Sequence, residues 1–209
     1  LARSLPWVRQ FVGLRPMAFA LLGLRALSRA PRQRLRAVGD VRAVDLKQLS
    51  AELGEKLSSA YHRASTKEWR WFEDRLTYSN ARLPHGLLAA WELTGHAPFF
   101  EVVLESYEFL WGHLWDGACL HVVGNRGWWE RGFERACYDQ QPVDAGAMAE
   151  LAAALYLATG RLEHLTRAER ALEWFYGRNA LGVPVYDETT GGCRDGLGAD
   201  GVNLNQGAE

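Results

Sequence analysis

The chain has 209 residues, of which 48% are hydrophobic, 23% charged and 11% aromatic, and its formal net charge is −1. That length suffices for a substantial buried core, and the balance excludes a disordered or collagen-like chain and a generic polyanion binder, so no nucleic-acid partner is expected. No apolar run approaches the roughly 20 residues of a membrane span. Three widely spaced cysteines (Cys119, Cys137, Cys193) form neither a disulfide framework nor a CxxC zinc pair, which predicts a reducing, cytoplasmic setting.

Charge is uneven along the chain. Residues 1–39 hold eight arginines (Arg3, Arg9, Arg15, Arg25, Arg29, Arg32, Arg34, Arg36) and no acid, leaving a net of −9 over 40–209. Leu14, Met17, Leu21, Leu24 and Leu27 recur at helical spacing and predict a basic amphipathic helix over 16–29, within a first segment 1–40. It reads as a linker helix from an upstream domain, as a membrane-surface helix over 1–36, or as a targeting segment. The absence of Met at Leu1 weighs against the last. A further amphipathic stretch, 44–63, is expected to be the outer helix of a hairpin.

Residues 41–209 carry an internal repeat with an offset of 65 residues. Ala89, Thr94, Gly95, Glu108 and Gly112 in 83–112 fall on Ala154, Thr159, Gly160, Glu173 and Gly177 in 148–177. Aromatic positions follow: Trp91 on Tyr156, Phe109 on Trp174, Trp111 on Tyr176. Each unit reads as an Ala- and Leu-rich helix ending at Thr-Gly, a short turn, and a second amphipathic helix ending at another Gly. Inner helices are predicted at 83–94 and 143–159, and outer helices at 97–111 and 163–176. The fold class is therefore all-α, built of αα-hairpins, with at most a short strand near 183–187.

Long loops at 112–142 and 177–207 separate the hairpins, and loops of that length are usually functional or disordered. Trp115, Trp128, Trp129, Phe133 and Tyr138 in the first argue for order, and both loops are expected on one rim. The offset also sets Gln140–Asp144 over Asn205–Glu209 and places Ser79–Asn80 at the equivalent position one unit earlier. Asn205–Glu209 reads as the opening turn of another helix, so the chain is expected to be a piece of a longer protein.

Four acids are candidates for catalysis: Glu73 and Asp74, in a run dense in polar and aromatic groups, and Asp144 and Glu209, at equivalent helix starts. Cleaving a glycosidic bond generally takes one protonated acid and one carboxylate, although acids in a first helical turn also serve the helix dipole. Trp115, Trp128 and Trp129, in a Gly-rich loop, offer flat faces for a sugar ring, against a role in loop packing. Tyr78, Asn80, Arg82, Asn125, Asp139, Gln140, Gln141, Arg178, Asn179, Asp187, Asp195, Asn203, Asn205 and Gln206 cluster at loop–helix junctions. There their donors and acceptors match sugar hydroxyls, against turn-forming and capping roles. No phosphate-binding, dinucleotide, HExxH or GxSxG motif occurs, and the six histidines show no shared ligand spacing, so neither metal nor cofactor is expected. His85 is the one histidine kept as an acid–base candidate.

The segments WRWFEDRLTYSNARLPHGLLAA (69–90), YDQQPVDAGAMAELAAALYLATG (138–160) and GRNALGVPVYDETTGGCRDGLGADGVNLNQGAE (177–209) resemble the helical region that follows the sugar-transferring domain in certain bacterial group 1 glycosyltransferases. That region is in turn similar to six-hairpin glycosidase-like (α/α)6 toroids. The resemblance covers roughly 69–209 and implies six hairpins, about 390 residues at the observed repeat length, so this chain would hold part of a toroid. It implies a carbohydrate partner, and an upstream glycosyltransferase domain that these residues lack. The readings in play are a glycan-binding and glycan-processing domain, a non-catalytic module that positions glycan for that upstream domain, and, last, a sugar epimerase.

Overall fold

The computed structural model describes residues 5–31 and 43–206; Arg3, Arg32, Arg34, Arg36 and Glu209 lie outside them. Among the described residues the chain is mainly helical: α1 (Leu5–Val8), α2 (Leu14–Ser28), α3 (Ala43–Ala64), α4 (Arg82–Thr94), α5 (Ala97–Leu114), α6 (Pro142–Thr159) and α7 (Leu162–Glu173). No described helix is long and apolar enough to cross a membrane. Strand among the described residues is confined to two-residue pieces, β1 (Arg75–Leu76), β2 (Trp129–Glu130), β3 (Gly196–Leu197) and β4 (Val202–Asn203). Val183–Tyr186 contributes only isolated bridges, Tyr176 with Pro184 and Tyr186 with Cys193, since proline has no N–H with which to extend a ladder.

The chain forms two compact units. The first comprises the described residues up to Glu73 together with Arg82–Tyr107; the second comprises Asp74–Ala81 and the described residues from Glu108 onward.

In the first unit α2, α3 and α4 pack against one another in pairs. All eight residues from Leu83 to Ala90 of α4 are buried, as expected of an Ala- and Leu-rich inner helix. At Gly86 a Cβ would stand 2.5 Å from Ala18 Cα, so α2 and α4 touch backbone to backbone. Helix α2 buries Met17, Leu21 and Leu24 beside Ala18, a gain of about 5–9 kcal/mol at 1.5–3 kcal/mol per side chain. Its arginines and their neighbours are spent internally: Arg9 pairs with Glu52, Arg15 with Glu73, and Arg25 and Arg29 with Glu92. Such pairs contribute roughly 0–1 kcal/mol each, so packing, not charge, holds α2 in place. After α3 the chain buries Trp69, Trp71 and Phe72, and Tyr61 meets Phe72 edge-on at 5.3 Å. The Tyr61 hydroxyl donates to Glu105 at 2.5 Å, and burial together with that carboxylate pushes its pKa well up.

In the second unit α6 and α7 form an αα-hairpin. Helix α6 is buried over most of its circumference, while α7 buries only His164, Ala168 and Ala171. The end of α6 reproduces the end of α4 in detail. Thr159 Oγ1 donates to Leu155 O at 2.7 Å and Gly160 sits at φ 71°; Thr94 Oγ1 donates to Ala90 O at 2.7 Å and Gly95 sits at φ 75°. The Thr-Gly signature thus encodes the same left-handed stop twice. The second-helix glycines differ. Gly177 is left-handed at φ 99°, whereas Gly112 lies inside α5, which runs on to Leu114. The indoles of Trp111 and Trp115 stack at 5.3 Å, with the guanidinium groups of Arg167 and Arg170 over them at 5.3 and 5.1 Å. Arg167 is also ion-paired with Glu108 and Glu163.

His164 sits in the α6–α7 hairpin at 1% exposure. Burial, then the charges of Arg167 and Arg161, push its imidazole below the usual range, against a weaker pull from Glu163 and Glu108. The unfolded chain protonates this histidine near pH 6.5 and the folded one only at lower pH, so stability is unaffected by it above that pH and falls as the pH drops below it. Urea melts are therefore expected to show a lower midpoint at about pH 5.5 than at about pH 7.5, with a smaller difference in His164→Gln.

Candidate functional site

The second unit holds a polar cavity of about 840 Å³ formed by segments of both long loops, 125–126 with 136–141 on one side and 195–203 on the other. The later segment is a hairpin. β3 pairs antiparallel with β4, and Gly198 N–H closes the turn onto Gly201 O at 2.8 Å. The hairpin docks on the residue just before the N-cap of α6: Gln140 and Leu197 exchange two backbone hydrogen bonds of 3.0 and 2.9 Å. Glycine is required where the segments touch. At Gly196, φ 153°, a Cβ would lie 2.2 Å from Gln140 O, and at Gly124 it would lie 1.9 Å from Tyr138 O. Asn125 N–H donates to Asp139 O at 2.9 Å, fastening the first loop to itself.

The cavity is lined by Asp139, Asp195 and Asp200, by Arg126, by the amides Asn125, Gln140, Gln141 and Asn203, and by Tyr138. Arg126 Nε donates to Asp139 Oδ2 at 3.0 Å. Gln140 is buried; its Nε2 donates to Cys137 O at 2.9 Å, and its Oε1 accepts from Trp174 Nε1 at 3.4 Å, fixing the loop to the end of α7. Three carboxylates against one guanidinium disfavour an anionic ligand such as a nucleoside diphosphate. Amide, carboxylate and phenol groups together suit a neutral ligand rich in hydroxyls.

Of the sequence candidates, Asn125, Asp139, Gln140, Gln141, Asp195 and Asn203 line this cavity. Asp144 and Asn80, equivalent or adjacent in the repeat, meet directly. Asp144 is buried in the first turn of α6, and its Oδ1 accepts both the backbone N–H and the Nδ2 amide of Asn80 at 3.3 Å. Asn80 also clasps Thr77 through N–H to Oδ1 (3.0 Å) and Nδ2 to carbonyl (2.9 Å) contacts, closing a turn in which Ser79 is left-handed at φ 49°. Asp144 therefore anchors the 77–80 turn, from which the exposed Tyr78 projects.

The remaining candidates lie elsewhere. Asp74 is exposed and paired with Arg131 at 3.0 Å. Trp128, left-handed at φ 57°, donates through Nε1 to Asn125 Oδ1 at 2.9 Å. The Trp129 ring runs parallel to Phe109 at 6.1 Å and meets His113 at 5.2 Å, so its flat face is engaged in packing. Arg178 pairs with Glu173 and donates to Ala118 O. Asn179 is buried and spans Trp174 O and Val183 O. Asp187 receives Thr189 N–H and Gln206 Nε2, and its carboxyl is held below the usual range chiefly by Thr189. Asn205 is exposed and accepts Asp195 N–H at its carbonyl. Glu73, paired with Arg15, and Arg82, 5.8 Å over the Phe19 ring, belong to the first unit, as does His85, buried beside Arg25 at 3.1 Å. Glu209 lies outside the described residues.

Arg126, Tyr138 and Asp200 also line the cavity but are absent from the sequence candidates. Arg126 and Tyr138 each neighbour a candidate, Asn125 and Asp139, and Asp200 stands in an Asp-Gly turn, which is the sequence signal they carry.

No family model and no curated protein matches the sequence. A similar solved structure is that of a glycoside hydrolase family 76 mannosidase from Bacteroides thetaiotaomicron, 17% identical, with a TM-score of 0.47 over 61% of this chain and 33% of that one. The chain thus spans about a third of that protein's length.

Proposed function

We propose that the cavity between the two loops binds a neutral glycan, and that the chain is part of a carbohydrate-active, glycosidase-like (α/α) toroid domain. One observation carries the reading: three aspartates, the amide residues Asn125, Gln141 and Asn203, and a tyrosine line one cavity of about 840 Å³, within the range of small-ligand sites. Asn125, Gln141, Asp195 and Asn203 hydrogen-bond ring hydroxyls, and Tyr138 stacks on a sugar face. In this reading the domain holds glycan, on its own account or for a glycosyltransferase domain elsewhere in a longer protein.

A second reading, hydrolysis, is favoured by Asp139, Asp195 and Asp200 lining the same cavity, because an acid and a base on opposite faces of a bound sugar are what inversion requires. Calorimetric titration with neutral and uronate-containing oligosaccharides tests both. Binding of the neutral series is expected, weakened about tenfold or more in Asp195→Asn and about 2–10-fold in Gln141→Ala, in line with loss of charged and neutral hydrogen bonds. Release of shortened sugars that stops in Asp139→Asn or Asp195→Asn would select hydrolysis. Preference for the uronates, or no binding by any sugar, would overturn the proposal.

A further inference from the structure

At the end of α5 the chain makes a tight hairpin, independent of the glycan cavity. Trp115 bridges Leu120 antiparallel, His121 N–H donates to Leu114 O at 2.7 Å, and Gly117 turns the chain at φ 100°. Leu114 and Leu120 are buried and fix its base. Asp116 Oδ1 accepts the N–H groups of Ala118 and Cys119 at 2.7 and 2.8 Å, which aims Oδ2 at His121 Nε2, 2.8 Å away. Cys119 Sγ lies 3.3 Å from that same nitrogen. The three donor atoms lie within 4.8 Å of one another.

Two contacts to one ring nitrogen decide between two chemistries. A nucleophilic relay puts the thiol on one imidazole nitrogen and the orienting acid on the other. Here carboxylate and thiol crowd the same Nε2, which holds at most one proton and satisfies one of them. A cation in place of that proton satisfies all three. One thiolate, one imidazole and one carboxylate select zinc over the all-oxygen preferences of magnesium and calcium. Tetrahedral bonds of about 2.0–2.3 Å give donor separations of about 3.3–3.6 Å, so the observed 2.8 and 3.3 Å need to widen by about half an ångström at most, and the Asp116–Cys119 donor pair, within 4.8 Å, to close by about 1.3 Å at most. The Asp116 side chain, 48% exposed, has room to do so. The nearby Arg178 cation is offset by its own pair with Glu173 at 2.7 Å.

We propose that Asp116, Cys119 and His121 form a zinc site with a fourth position open to water or to a group from a partner. Binding exchanges the Cys119 S–H bond for an S–Zn bond and releases the proton to solvent.

The test is cobalt and zinc titration of the chelator-stripped 209-residue chain. Cobalt is expected to bind one per chain with thiolate-to-metal charge-transfer absorption, and zinc to displace it. Cys119→Ser is expected to abolish that absorption, and Cys119→Ser and His121→Asn each to weaken zinc at least about tenfold. A Cys137→Ser/Cys193→Ser double variant is expected to bind unchanged. Thermal melts without metal verify that each variant folds. Absence of the charge-transfer band in the unmutated chain, its survival in Cys119→Ser, or its loss in the double variant would overturn the site.

Discussion

Replacing Gly86 by alanine is expected to destabilise the first unit by about 3 kcal/mol, opposite in sign to helix propensity. Glycine to alanine inside a helix ordinarily gains roughly 1 kcal/mol. At Gly86 the added methyl would stand 2.5 Å from Ala18 Cα and 2.9 Å from Ala18 O, backbone atoms that no rotamer change can move. The helices must separate, loosening Met17, Leu21 and Leu24 together, and overpacking of this kind typically costs 1–3 kcal/mol even where side chains can yield. Gly23 is the control on the other helix: nothing lies within 4 Å of its Cβ position, so Gly23→Ala is expected to be neutral or to stabilise. Thermal melts followed by circular dichroism check both. Equal midpoints for the two variants would mean that α2 is not packed on α4.

A second substitution separates the cavity from the helices beneath it. Gly196→Ala places a methyl 2.2 Å from Gln140 O at a φ of 153° that alanine does not adopt comfortably. The two-bond bridge between Gln140 and Leu197 must break, at a cost of about 3 kcal/mol to the loop assembly. The expected result is loss of hydrogen-exchange protection at the amides of Gln140 and Leu197 and loss of glycan binding, while protection within α6 and α7 persists. Gly124→Ala, 1.9 Å from Tyr138 O, is expected to act alike from the other loop. Unchanged protection at Gln140 would show that the hairpin does not dock as described.

What was legible in the sequence was local and periodic. The two Thr-Gly stops, the inner helices with their small apolar residues, and the order of the aromatic loops follow from spacing and capping chemistry alone. What was not legible depends on partners distant in sequence. Arg9, Arg15 and Arg29, in and beside α2, read as part of a tether or surface patch because Glu52, Glu73 and Glu92, which neutralise them, lie 43 to 63 residues away. Trp129 reads as a sugar platform until Phe109 and His113 are seen against it. Asp144 reads as a cavity acid until its carboxylate is found on Asn80. The Asp116–Cys119–His121 grouping is local but holds one histidine, so histidine spacing does not reveal it; the left-handed turn at Gly117 is what folds its donors together.

The proposed site requires the two loops to form one receptor for hydroxyl-rich ligands. The most direct measurement is an amide-resolved NMR titration of the chain with neutral oligosaccharides. Shifts are expected to saturate together at 125–126, 136–141 and 195–203 and to vanish in Gly196→Ala. Saturable shifts confined to other residues, or none with any neutral sugar, would contradict it.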